Sequence, residues 1–128
     1  MEDLHLPHHH GQEDQLPGIC RELAKMDKFQ TIADVFRQLG DPTRVRIFWL
    51  LCHCEACVVN ISAMMEMSSP AVSHHLRALR NSGLIVSRRE GKEVYYRASD
   101  NAQARLLHQM IERVMEIACP EEAHHHGA

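Results

Sequence analysis

One block restricts the fold more than any other feature of the chain: "SSPAVSHHLRALRNSG" followed directly by "LIVSRREGKEVYYRA", residues 68 to 98. Its first part carries helix punctuation at both ends. Ser69 can cap, Pro70 suits the first helical position, and Gly83 is a stop. Val72, Leu76 and Leu79 form an apolar stripe, with Ser73, His74, Arg77 and Asn81 roughly opposite. Such a helix buries one side and offers serine, histidine, arginine and asparagine on the other. The second part splits into two β-prone runs, "LIVSR" and "EVYYRA", joined through Glu90 and Gly91. That is a hairpin signal, and its tip is crowded with Arg88, Arg89 and Lys92.

The rest of the chain supplies helices around this block. In "KFQTIADVFRQLG", Phe29, Ile32, Phe36 and Leu39 lie on one stripe and Gly40 ends the helix. "DPTRVRIFWLLC" opens with Asp41 as N-cap and Pro42 behind it, and Val45, Phe48, Trp49, Leu51 and Cys52 supply a wide buried face. "CVVNISAMMEM" reads as a third helix with Ile61, Met64 and Met65 in the core, and the short "MSS" turn leads into the Ser69 helix. A last helix runs from about Asp100 to Cys119 on an apolar face of Leu107, Met110, Ile111, Val114 and Ile117, and Pro120 stops it. Four helices, a hairpin and a helix predict a mainly α fold with a β-hairpin wing, a winged helix-turn-helix. The competing reading is a small α+β domain that uses the same motif for protein contacts.

A chain of 128 residues has room for one domain with a real core. The expected boundaries are a flexible His-rich tail at 1–18, the winged helix at 19–119 and a second His-containing tail at 120–128. No apolar run approaches the roughly 18 residues of a membrane span, and the acidic, His-rich first 20 residues do not form a secretory signal. Five cysteines, an odd number, then argue for reduced thiols in the cytoplasm. The net charge of −3 hides an asymmetry: residues 69 to 97 carry Arg77, Arg80, Arg88, Arg89, Lys92 and Arg97 against Glu90 and Glu93. A basic segment on an acidic body fits nucleic-acid binding, although a solvated basic face would look the same.

The segments "LGDPTRVRIFWLL", "EACVVNI" and "SSPAVSHHLRALRNSGLIVSRREGKEVYYRASD" resemble the ArsR/SmtB family of winged-helix metal-sensing repressors. The likeness extends over about residues 29 to 116. It implies a homodimer built through the first and last helices, repression by the apo form, and release of double-stranded operator DNA when an inducer binds. The residues agree with it. Ser69, Ser73, His74, Arg77 and Asn81 lie on the reading helix, where side chains reach phosphates or base edges. Arg88, Arg89 and Lys92 would meet phosphates beside the groove. His75 lies nearer the buried flank and reads as a packed histidine.

The inducer site is less direct. One family pattern needs an aspartate, two histidines and a third ligand on the last helix. Asp100 and Glu116 match it, but Ala102 and Arg113 occupy the histidine positions, so this residual second site is expected to be lost. His108 remains on that helix and could join Glu112, four residues on, or His124, His125 and His126. The other pattern is "ELCVCDL", completed by N-terminal ligands. Here "EACVVNI" keeps Cys57, while Val59 and Asn60 replace the second cysteine and the acid.

Cys54 with Cys57 forms a C-x-x-C pair, and Cys20 or Cys52 could complete a set, with His8, His9, His10 and His53 as further candidates. Soft thiolates select zinc, cadmium, lead, copper(I) or arsenite. Cys52 also continues an apolar stripe, which favours simple burial. Two alternatives stay open. The same thiols could sense oxidants or reactive sulfur in a repressor of the same fold. More remotely, the pair could serve a thiol oxidoreductase, although it lacks the βαβ context of a thioredoxin-like site.

Overall fold

The computed structural model describes residues 5–11 and 13–120. The chain divides into two compact units, Met1–Arg37 and Gln38–Ala128. The first unit carries α1 (Leu16–Leu23) and nearly all of α2 (Met26–Gln38). Pro17 sits in the first turn of α1, where its missing N–H costs nothing. The expected tail boundary at residue 18 therefore falls inside a helix. Lys25 and Lys28 both reach Glu22, at 2.9 and 3.0 Å, which fastens the joint between α1 and α2.

The second unit runs α3 (Pro42–His53), β1 (Ala56–Cys57), α4 (Val58–Met65), α5 (Ser69–Asn81), β2 (Ile85–Glu90), β3 (Glu93–Ala98) and α6 (Ala102–Ala118). Its core is built from Ile47, Phe48 and Leu51 of α3, Ile61 and Met65 of α4, Val72, Leu76 and Leu79 of α5, Leu84, Ile85 and Leu107. Each such side chain contributes about 1.5–3 kcal/mol by leaving water. Two expectations are corrected here. Met64 is 50% exposed, and α3 turns Ile47 inward in place of Trp49 and Val45, which are only half-buried. Ile47, Phe48 and Leu51 still follow a helical period; the stripe is simply rotated by tertiary packing.

Caps explain the helix boundaries. Asp41 accepts from the Arg44 amide at 3.2 Å, as the sequence predicts. Ser68, not Ser69, caps α5 by accepting from the Ala71 amide at 3.3 Å. At the other end of α5, Gly83 at φ +79° completes a Schellman stop: its amide donates to Arg80 O and the Leu84 amide to Leu79 O. Asn101 caps α6 and also donates to the Gly83 carbonyl, tying the start of α6 to the end of α5. The α4–α5 turn uses Glu66 at φ +55°, a left-handed position without glycine.

The sheet is antiparallel in the order β1–β3–β2. The hairpin pairs Ile85 with Ala98 and Glu90 with Glu93, so the turn is Gly91–Lys92, one residue later than the sequence indicates. Strand β1 is not foreseen; the sequence reads Cys57 as the start of a helix. Ala56 pairs with Tyr96 and Cys57 with Tyr95. A two-residue strand has no periodicity of its own and exists only because β3 offers it an edge.

Candidate nucleic-acid interface and metal-ligand residues

α5 keeps its polar side outward because Val72, Leu76 and Leu79 are buried behind it. His74, Arg77 and Asn81 are exposed, and Ser73 is half-buried. Ser69 is exposed too, with its hydroxyl 3.2 Å from that of Ser62. Arg80, which spacing alone did not single out, stands exposed one turn beyond Arg77. Among the described residues neither arginine forms an ion pair. His75 is packed, as expected: its Nδ1 accepts from Arg44 Nε at 3.3 Å, and burial holds the imidazole below its usual range.

The wing residues are not equivalent. Arg89 and Lys92 are exposed and unpaired among the described residues. Arg88 clasps both oxygens of Glu55 at 2.7–3.0 Å, reaches Glu90 at 2.6 Å and lies 4.8 Å over the Tyr95 ring. Hydrogen bonds to Glu55 and Glu90 raise Arg88 above its usual range and hold Glu55 below the usual carboxylate range. Arg88 thus fastens the wing to the residue before β1, and its charge is already matched.

The thiols occupy separate surroundings. Cys54 is the exposed C-cap of α3, while Cys57 is buried as the N-cap of α4 and paired with Tyr95. Cys52 is half-buried on α3, and burial, with the Glu112 charge, pushes its thiol up to about 11. Cys20 lies on α1 in the first unit. In the N-terminal segment His8 and His10 stack at 5.9 Å and His9 sits 3.5 Å from Glu13. Asp100 is paired with Arg105 at 2.7 Å and Glu116 with Arg113 at 3.3 Å, so each carboxylate of the residual second site has an arginine beside it. His124, His125 and His126 lie outside the described residues.

Among the described residues, one group of three metal-ligating atoms converges, and it contains no cysteine: His53, His108 and Glu112, all within 4.8 Å of one another. Trp49 Nε1 donates to Glu112 Oε1 at 3.0 Å. Burial alone would raise the Glu112 carboxyl, but donors from Trp49, His108 and His53 together hold it below the usual range. The i,i+4 spacing announces His108 with Glu112. His53, which the sequence offers only as a candidate beside the thiols, arrives through the packing of α3 on α6.

Comparison with known proteins places this arrangement. The family model "Bacterial regulatory protein, arsR family" matches residues 41–87, from the cap of α3 into β2. The transcriptional repressor SmtB homolog of Synechocystis sp. is 36% identical over 103 residues, covering 80% of this chain and 78% of its own. The chain belongs to the arsR family. This arsR-family chain is also 36% identical to the cadmium resistance transcriptional regulatory protein CadC homolog of Staphylococcus aureus, covering 83% of this chain and 88% of that one. Among solved structures it is similar to the homodimeric winged helix-turn-helix DNA-binding domain of a possible ArsR-family regulator from Mycobacterium bovis. The TM-score is 0.61 at 33% identity, over 70% of this chain and 85% of that one. This family member is a transcription regulator and not an enzyme.

Proposed function

We propose that this arsR-family regulator represses transcription by binding an operator inverted repeat as an apo homodimer, and that a thiophilic metal ion releases it. One observation carries the DNA-binding part: α5 is held by three buried side chains so that His74, Arg77 and Asn81 face out, next to a wing tipped with Arg89 and Lys92. The helix reads base edges while the wing and Ser69 meet phosphates, so affinity falls steeply with salt. Arg88 contributes by holding the wing in place. The dimer is supported by Leu106, Met110, Val114 and Ile117 of α6 and by Phe29, Ile32 and Phe36 of α2, all large apolar side chains left exposed. A reduced, cytoplasmic setting goes with this reading.

Cys54 and Cys57 are the proposed thiolate ligands, with Cys20, Cys52 or an imidazole from His8, His9 or His10 completing the set. Zinc, cadmium, lead, copper(I) and arsenite all suit such donors. The S. aureus relative, whose name carries cadmium resistance, points the same way. A nearly complete switch requires the ion to prefer the released form by about 5.5 kcal/mol. The exposure of Cys54 three residues from buried Cys57 favours one second reading, in which oxidation or persulfidation of these thiols releases DNA.

The test is fluorescence anisotropy on an operator selected from random duplexes. Arg77→Ala should weaken specific binding by about 1–3 kcal/mol, and unchanged affinity would remove α5 as the reader. Cadmium under reducing conditions should release the DNA. Release by peroxide or polysulfide alone would replace the metal reading with the thiol one.

A further inference from the structure

We propose that His53, His108 and Glu112 form a metal site of their own, for a divalent ion of the zinc class, bridging the end of α3 to the middle of α6. The site stands on geometry alone and does not depend on how the chain meets DNA or uses its thiols. His53 Nε2 and His108 Nε2 approach the same oxygen, Glu112 Oε1, at 3.4 and 3.2 Å. In a tetrahedral zinc site with bonds near 2.0–2.1 Å, neighbouring ligands lie about 3.3–3.4 Å apart. These two separations are therefore already close to those of a tetrahedral edge. The imidazole rings cross edge to face at 89° with centroids 5.0 Å apart, so they do not stack, and the ligand atoms of the three residues all lie within 4.8 Å of one another.

A further contact supports the ligand set. Trp49 Nε1 donates to Glu112 Oε1 at 3.0 Å, the kind of outer hydrogen bond that orients a ligating carboxylate. The ligands are partly open, at 45%, 31% and 40% side-chain exposure, so an ion can enter. His53 and His108 also line a pocket of about 360 Å³, shared with Cys52, Cys54 and Asp100, which leaves room for water in the fourth position. Two imidazoles and a carboxylate suit zinc, cobalt(II) or nickel(II), in contrast to the softer ions that thiolates prefer. Ligation requires both imidazoles to be neutral at the coordinating nitrogen, so any proton there leaves as the ion binds.

Cobalt(II) is the probe. The full-length chain, stripped with chelator and kept reduced, is titrated with cobalt(II) and followed by visible absorption and native mass spectrometry. His108→Ala and Glu112→Gln should each weaken one bound equivalent at least about tenfold. That equivalent should carry no sulfur-to-cobalt charge-transfer intensity. Glu112→Gln keeps an acceptor for Trp49, and a circular-dichroism melt verifies that it is folded. Replacing His8, His9 and His10 with alanine should leave the equivalent in place. Wild-type binding in both site variants, or loss of the equivalent only in Cys54→Ser, would overturn the site. Neither result would bear on DNA binding or on thiol-dependent release, which anisotropy reads separately.

Discussion

The segment from Cys54 to Cys57 and the seam between α3 and α6 meet at His53, yet different forces hold them. In the segment the backbone does the holding: Ala56 and Cys57 pair with Tyr96 and Tyr95, and Arg88 clamps Glu55 from the wing. Each thiol is consequently fixed in its own surroundings. In the seam, side chains do the holding, through three donors on one half-exposed carboxylate oxygen. A paired backbone resists rearrangement, because each ladder bond lost leaves buried polar groups unmet. A half-exposed side-chain cluster exchanges partners at little cost, since water is at hand. The segment is therefore suited to presenting thiols unequally, and the seam to accepting an ion.

The largest expected effect probes that inequality. At pH 8, Cys52 should alkylate roughly 100-fold more slowly than a thiol at the ordinary value of 9.0, because its thiol is pushed up to about 11. Its rate should climb with pH until about 11, since raising the value removes thiolate at lower pH. Exposed Cys54 should be modified ahead of buried Cys57. Timed iodoacetamide labelling with peptide mass spectrometry reads both, and equal rates would erase the contrast among these thiols.

Next comes Cys57→Ser, which puts a hydroxyl at a position 9% exposed and should cost about 1–3 kcal/mol in urea unfolding. Cys54→Ser, at an exposed cap, should stay within about 0.5 kcal/mol. The two together show whether burial or sulfur chemistry distinguishes these neighbours. A similar loss in both variants would mean that the segment is not divided as described.

For the seam, Trp49→Phe removes one donor from Glu112 and should cost about 0.5–1.5 kcal/mol without metal. The pH sign follows from the lowered Glu112 carboxyl. Its contribution is present above the ordinary value of 4.5 and is lost as pH falls through the lower folded value. With Glu112 at 40% exposure that contribution is small, and a thermal melt series from pH 6 to 3 on wild type and Glu112→Gln would expose it. In the opposite direction, Glu66→Gly should stabilise by about 0.5–1 kcal/mol, because glycine takes the left-handed φ without strain.

Much of this molecule is legible in its residues. The stripe of Val72, Leu76 and Leu79, the stop at Gly83, the Asp41–Pro42 start and the hairpin each rest on neighbours a few positions apart, and local geometry settles them. The misreadings share a cause. Ser68 wins over Ser69 as a cap by a one-residue difference in backbone angle. Strand β1, the exposed face of Met64 and the paired state of Arg88 all depend on partners far along the chain. The helix at Leu16–Leu23 begins within the stretch whose Pro17 and Gly18 read as tail.

By itself the sequence determined a winged helix whose α5 carries His74, Arg77 and Asn81 on its outward side, because helical period and cap chemistry are local properties. Only the tertiary structure decided which thiols meet solvent, that Arg88 is matched by Glu55, and that His53 joins His108 and Glu112. Those outcomes depend on how α3 rotates and packs against α6 and the sheet, and packing is settled by the whole core at once.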